Sequence, residues 1–134
     1  MDIDNPFGAI SYKGPGTFIA GGAGVTPFIA IFRDLSEKGE AEDNKLFFSN
    51  KTKNDIIMED EFNKLLKPEN IIYTLTREKV PGYSYGRIDE NFLRKNISDY
   101  TKHFYICGPW NMVESINSAL KRLGAKFDQL VFEE

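Results

Sequence analysis

The sequence predicts an α/β domain, a Rossmann-like parallel sheet of about five strands with helices on both faces. Two observations carry this. Short apolar runs alternate along the chain with amphipathic stretches at helical spacing, the pattern of βαβ units. Two of the runs pass straight into glycine turns that open a helix, at Ile19-Ala-Gly-Gly-Ala-Gly-Val-Thr-Pro-Phe28 and at Tyr105-Ile-Cys-Gly-Pro-Trp-Asn-Met112. With 134 residues, 41% of them hydrophobic, the chain has material for one packed core and no second complete domain.

Thr17 to Ala20 reads as the first strand. A helix follows from Pro27 to about Lys38, with Pro in its first turn, Phe28, Ile31, Phe32 and Leu35 on one stripe, and Gly39 as its stop. Lys45 to Ser49 is the second strand. Glu59 to Leu66 is a second helix with Phe62, Leu65 and Leu66 inward and Pro68 beyond it; Glu59, Asp60 and Glu61 suit the positive end of its dipole better than acid/base chemistry. Ile71 to Leu75 is the third strand. Residues 76 to 87, rich in Pro, Gly and Tyr and without apolar periodicity, read as a loop. Asp89 caps a short helix carrying Phe92 and Leu93, and His103 to Cys107 is the fourth strand. From Asn111 the positions Met112, Val113, Ile116, Ala119, Leu120 and Leu123 fall at helical spacing and end at Gly124. Asp128 to Phe132 is the last strand. Asp2 to Tyr12 stands outside this scheme as an extended strand and turn with no obvious pairing partner.

Composition narrows the function. A net charge of −3 from mixed, dispersed signs leaves no basic stripe for nucleic acid or an anionic membrane surface. One cysteine, Cys107, excludes an intrachain disulfide and a four-thiolate cluster within the chain, and points to a cytoplasmic setting. No apolar stretch approaches the ~20 residues that span a bilayer, and the first residues lack the pattern of an export signal. His103 has no second histidine with which to build a metal site, so no metal is expected.

The two glycine turns carry the chemistry. Glycines between strand and helix let a backbone approach a pyrophosphate without Cβ clashes, and Thr26 adds a hydroxyl donor at the helix start. The spacing is not Gly-x-Gly-x-x-Gly, and the second strand ends in neutral polar residues where an NAD-specific Rossmann fold places an acid for the ribose. A lone strand-end cysteine such as Cys107 is more often a small core hydrophobe than a participant in chemistry; the Gly-Pro after it shifts the balance toward chemistry. Arg77 and Lys51 read equally as solvated loop charges.

Taken together, Ala20-Gly-Gly-Ala-Gly-Val-Thr-Pro-Phe28, Asp55-Ile-Ile-Met-Glu-Asp-Glu-Phe62, Thr76-Arg-Glu78, Gly86-Arg-Ile88 and Tyr105-Ile-Cys-Gly-Pro109 with Met112 resemble, in order, the pyridine-nucleotide domain of the ferredoxin-NADP reductase family of flavoenzymes. The version is most similar to bacterial flavodoxin or ferredoxin reductases and the reductase modules of oxygenases. The resemblance implies that Gly21, Gly22, Gly24, Val25, Thr26 and Pro27 hold the pyrophosphate and the nicotinamide-side ribose. It implies that Cys107, Gly108, Pro109 and Met112 lie beside the nicotinamide, with Cys107 near the carbon that loses hydride and Glu133 at the family's acidic position close to the reacting centre. Thr76 and Arg77 match the pair that grips a 2′-phosphate, and Arg87 and Lys51 match positions that are basic in NADPH-using members, so NADPH is the expected cofactor, with NADH as the alternative.

The resemblance further implies FAD or FMN in the complete enzyme, a flavin domain as partner, and a small redox protein of ferredoxin or flavodoxin type as electron acceptor. Residues 1–14 resemble the last strand of a flavin-binding barrel, at Asp4-Asn-Pro-Phe-Gly8, and 15–134 the NAD(P)H-binding domain. Two other readings fit the same residues: a non-catalytic nucleotide-binding module or split subunit docking on a separate flavoprotein, and a parallel-sheet protein that binds a simple phosphate at the Gly21 to Thr26 turn.

Overall fold

The computed structural model describes residues 10–133. Six strands, β1 (Gly16–Gly21), β2 (Lys45–Asn50), β3 (Ile71–Leu75), β4 (Ser84–Tyr85), β5 (His103–Cys107) and β6 (Leu130–Glu133), form one sheet in the order β4-β3-β2-β1-β5-β6. Every pairing is parallel. Four helices make the crossovers: α1 (Thr26–Glu37), α2 (Glu59–Leu65), α3 (Glu90–Asn96) and α4 (Trp110–Leu123).

Strand alternation sorts the apolar side chains onto two faces. Phe18, Ala20, Leu46, Phe48, Tyr105 and Cys107 pack against Phe28, Phe32 and Leu35 of α1 and Phe62 of α2. Ile19, Phe47, Phe104 and Ile106 face Leu93 of α3 and Val113, Ile116 and Leu120 of α4. Phe18 is the centre of the first face: its ring lies 4.3 Å from that of Tyr105, 4.6 Å from Phe32 and 5.0 Å from Phe28. Each such ring contributes about 1.5–3 kcal/mol by burial, which fixes β1 between β2 and β5 and therefore fixes the turn that follows it.

β1, β2 and α1 run one residue beyond or short of the expected Thr17 to Ala20, Lys45 to Ser49 and Pro27 to about Lys38, and further boundaries differ as well. The segment 76–87, read as loop, contains the two-residue strand β4, held by the Gly86 N–H donating to the Leu75 carbonyl at 2.8 Å, so the sheet has six strands. The last strand begins at Leu130 and not at Asp128, because Phe127–Gln129 close a 3-10 turn. Helix α2 ends at Leu65, and α4 starts one residue early, at Trp110. Asp89 caps α3 as expected, its carboxylate accepting from the Phe92 N–H at 2.9 Å.

The extended segment expected over Asp2 to Tyr12 lies mostly outside the described residues, as does the Asp4–Gly8 motif. Ile10 and Tyr12 are described. Ile10 is buried, and Tyr12 stacks on Phe18 and Tyr105. The Tyr105 hydroxyl accepts from the N–H groups of Lys13 and Gly14 and donates to the Gly14 carbonyl, tying the chain leading into β1 to the sheet.

Candidate functional site

The strand order reverses at β1: β1 feeds α1 on one face, and its neighbour β5 feeds α4 on the other. Open parallel sheets bind ligands in the crevice outside the strand C-termini at such a switch point. A cleft of about 1220 Å³ opens there.

Two turns build its floor. Gly24 packs so closely on the second turn that a Cβ there would stand 2.5 Å from the Cys107 carbonyl oxygen, and one on Gly21 would collide with Met112 Sδ. Gly22 is different: its φ is +56°, a left-handed value that favours glycine, and a Cβ there would meet no protein atom. Gly24 is thus required by backbone packing, a Cβ on Gly21 would have to displace the flexible Met112 side chain, and Gly22 bends the chain and leaves its face of the cleft open. The residues fit a pyrophosphate: the glycine backbone is accessible, and the turn leads into a helix whose dipole favours negative charge.

On the β5 side, Cys107, Gly108, Pro109 and Met112 line the cleft together with Glu133. Cys107 and Glu133 are register partners in the β5–β6 pairing. The thiol is 3% exposed, and burial, then the charge of Glu133, push its pKa up, so it remains a neutral thiol. On the β2 and β3 side the wall is formed by Ser49, Asn50, Lys51, Asp55, Ile57 and Thr76, and the exposed face of α1 adds Thr26, Pro27, Ala30 and Ile31. The loops here are laced by bonds from main-chain N–H groups: Thr76 donates to the Asn50 carbonyl at 3.0 Å, Arg77 to the Lys51 carbonyl at 2.9 Å, and Lys53 to the Glu78 side chain at Oε1, 2.8 Å away.

Of the residues singled out in the sequence, Gly21, Gly22, Gly24, Thr26, Pro27, Lys51, Thr76, Cys107, Gly108, Pro109, Met112 and Glu133 meet in this cleft. Three do not line it. Val25 is fully buried in the core under α1, so only its backbone can serve a ligand. Arg77 and Arg87 are exposed on the 76–87 segment and lie outside the lining. The Thr26 hydroxyl donates to the Ala23 carbonyl at 2.9 Å, so the expected donor is engaged in closing the turn.

Sequence reasoning missed Asn50, Asp55, Ile10, Ala30 and Ile57 as lining residues, and placed Ile31 on the inward stripe of α1, whereas it is half-buried at the cleft. Ala30 had a signal, as a small apolar residue on the outer face of α1 one turn beyond Thr26. Asp55 had another: Thr52-x-x-Asp55 is a reciprocal cap, with Asp55 Oδ2 accepting from the Thr52 N–H and hydroxyl.

A doubly wound parallel sheet with a glycine-floored cleft at its switch point defines a dinucleotide-binding α/β domain. Residues 18–118 match the oxidoreductase NAD-binding domain family, and the chain belongs to that family. It is 32% identical over 134 residues to NADH-cytochrome b5 reductase 2 of Mycosarcoma maydis, covering 87% of this chain and 37% of that protein. It is 28% identical over 159 residues to the NADH nitrate reductase of Solanum lycopersicum, covering 98% of this chain and 17% of the relative. In structure it superposes on the cytochrome b5 reductase domain of Ulva prolifera nitrate reductase with a TM-score of 0.75 at 25% identity, over 89% of this chain and 48% of that one. The chain therefore spans less than half the length of each of these proteins. Among the described residues, no helix is long and apolar enough to cross a membrane.

Proposed function

We propose that the chain binds NAD(P)H across the switch-point cleft and positions the nicotinamide for hydride transfer to FAD or FMN held by a flavin domain, fused or separate. The observation that carries this is the meeting of Cys107 and Glu133, from adjacent strands, beside the glycine floor. Flavin chemistry takes a hydride as a pair and releases electrons singly, which suits a one-electron acceptor, and the acceptor in this reading is a small redox protein of ferredoxin or flavodoxin type. Relatives named as NADH and NAD(P)H reductases support the nucleotide class.

Gly21, Gly22 and Gly24, with the main chain of Val25, Thr26 and the turn at Pro27, cradle the pyrophosphate. Cys107, Gly108, Pro109 and Met112 bound the nicotinamide. The neutral thiol packs against one side of the ring and excludes water there. Glu133 stands where negative charge favours the positive charge developing as hydride leaves. At the other end, Lys51 and Thr76 form the rim, and Arg77 and Arg87 reach a 2′-phosphate by side-chain rotation from the 76–87 segment, which makes NADPH the preferred cofactor. A cytoplasmic setting accords with the single unpaired thiol.

Calorimetric titration of the chain with NADPH and NADH tests the binding half. Saturable binding of either supports it, and tighter binding of NADPH supports the basic rim. Binding of inorganic phosphate with no response to either nucleotide would leave only a phosphate-binding turn.

A further inference from the structure

The two turns that floor the cleft close on each other, and one side chain fills the seam between them. A Cβ on Gly108 would stand 3.0 Å from Met112 Sδ and 3.3 Å from the Gly21 nitrogen. A Cβ on Gly21 would overlap Met112 Sδ and lie 3.2 Å from its Cε. The thioether therefore rests against the main chain of both turns at once. Its base is held, because Met112 belongs to the first turn of α4 and its N–H donates to the Pro109 carbonyl at 2.9 Å.

Gly21 shows what the seam demands. Its φ of −121° and ψ of 119° are ordinary extended backbone, open to any residue with a side chain. Only Met112 stands in the way of a Cβ there, since the next atom, Pro109 Cδ, is 3.5 Å off, an ordinary contact. Gly24 and Gly22 differ: the first is excluded from carrying a Cβ by the Cys107 carbonyl oxygen, and the second needs a left-handed φ. Glycine at 21 and methionine at 112 are thus a matched pair, in which space beside one turn is filled from the other. An unbranched thioether suits such an irregular gap.

A dinucleotide spans both turns, with its pyrophosphate on one and its nicotinamide on the other. It meets both in full only if their spacing is held before it arrives.

We propose that Met112 is a positioning residue whose thioether sets the spacing of the two turns, so that a ligand spanning both meets them in register. This rests on the nucleotide function proposed above. The effect is exerted through Gly21 and Gly108, in addition to any surface that Met112 offers the cleft.

The test is calorimetric titration of the full chain with NADPH, NADH, ADP-ribose and nicotinamide mononucleotide, with a thermal melt of each ligand-free protein. Wild type is compared with Met112→Ala, Met112→Leu and the double variant Gly21→Ala/Met112→Ala. In Met112→Ala, NADPH and NADH lose affinity roughly 3- to 10-fold, about what re-ordering a loosened segment on binding requires. ADP-ribose and nicotinamide mononucleotide, each resting mainly on one turn, stay within about twofold of wild type. Met112→Leu, of similar volume, keeps dinucleotide binding. The double variant regains most of what Met112→Ala loses, because the new methyl at position 21 refills the seam from the opposite side. Where Met112→Ala does not fold, Met112→Val carries the same comparison.

A loss of nicotinamide mononucleotide as large as that of the dinucleotides, with ADP-ribose unchanged, would make Met112 a direct contact and overturn the proposal. Equal losses for all four ligands with a lowered melting temperature would make it a core filler and overturn it too. So would a double variant no better than Met112→Ala, or dinucleotide affinity unchanged in Met112→Ala. A wild-type chain that binds no nucleotide at all defeats the functional reading itself.

Discussion

The two ends of the cleft are built by different physics. The end between β1, β5 and β6 is backbone packed on backbone: Gly24 stands where no Cβ fits, the strand register places Cys107 beside Glu133, and a buried thiol is held neutral. The end beyond β2 and β3 is made of exposed side chains on loops, held by a few main-chain hydrogen bonds and by Tyr83, whose hydroxyl bonds to the Glu59 carboxylate. Positions that must stay within tenths of an ångström are thus set by the sheet, and positions that choose among ligands are set by surface loops. Substitutions at the first end are expected to cost more than those at the second.

The largest effect is expected at the reacting centre. In a complete reductase containing the flavin domain, Cys107→Ala slows flavin reduction ~100-fold, since small misplacements at a reacting centre cost that much. That is about 2.7 kcal/mol of barrier. Nucleotide affinity changes little. Rapid-mixing measurement of flavin reduction reads the first quantity and titration the second; an unchanged rate would return Cys107 to the role of core filler and remove the contrast between the two ends.

Next is the packing of the floor. Gly24→Ala forces a Cβ to 2.5 Å from the Cys107 carbonyl oxygen, a main-chain atom that no rotamer change can move aside. Overpacking of this kind costs about 1–3 kcal/mol of stability, and here the upper part of that range is expected. Gly22→Ala meets open space but must hold a left-handed φ, which costs about 1–2 kcal/mol. Urea unfolding ranks them, Gly24→Ala being the less stable. The reverse order would mean that the two turns are less tightly seated than their backbone contact implies.

The same contrast governs what was legible in the sequence. Gly24 and Cys107 were readable because close backbone approach leaves a composition trace, glycine where a strand becomes a helix. The strand-helix alternation gave the parallel sheet, since each buried strand must carry apolar residues and each crossover an amphipathic helix. Strand β4 left no such trace: Ser84 and Tyr85 are both exposed, and it exists only through main-chain bonds to the end of β3. The placement of Arg77 and Arg87 outside the lining was illegible for the same reason, because loop direction is set by bonds such as that from Arg77 N–H to the Lys51 carbonyl. Asn50 looked like a polar strand end, and its burial and empty donor appear only once α1 and α2 cover that face.

At the loop end, Arg77→Ala is expected to lower NADPH affinity ~10-fold, the value of a partly screened charge-assisted hydrogen bond, with NADH nearly unchanged. The loss shrinks with added salt, because an exposed guanidinium is screened by mobile ions. Calorimetry at two ionic strengths decides it. Equal losses for both cofactors would move Arg77 to a part of the nucleotide they share.

The smallest effect concerns the tether of that loop. Tyr83 sits between Val80 and β4, and its bond to Glu59 pins the segment carrying Arg77 and Arg87 to α2; Lys53 lies over its ring at 5.6 Å. Tyr83→Phe removes the bond and keeps the ring, so NADPH affinity should fall only a few-fold, corresponding to a hydrogen bond of about 0.5–1 kcal/mol at the surface. Events at Cys107 should not change. Proton linkage gives an independent check. The Glu59 hydrogen bond, then partial burial, push the Tyr83 phenol from its ordinary 10.0 up to about 12. A folded value above the unfolded one means that the folded chain holds the proton more tightly. The stabilisation is therefore complete below pH 10 and is lost as pH rises toward about 12. Burial pushes Tyr73, Tyr105 and Cys107 in the same direction, so wild type should lose stability on the alkaline side in any case. What identifies the tether is the difference: between pH 10 and 12 the melting temperature of wild type should fall more steeply than that of Tyr83→Phe. Parallel curves would show that the phenol does not hold the loop, and the arginines would then owe their position to the main-chain bonds alone.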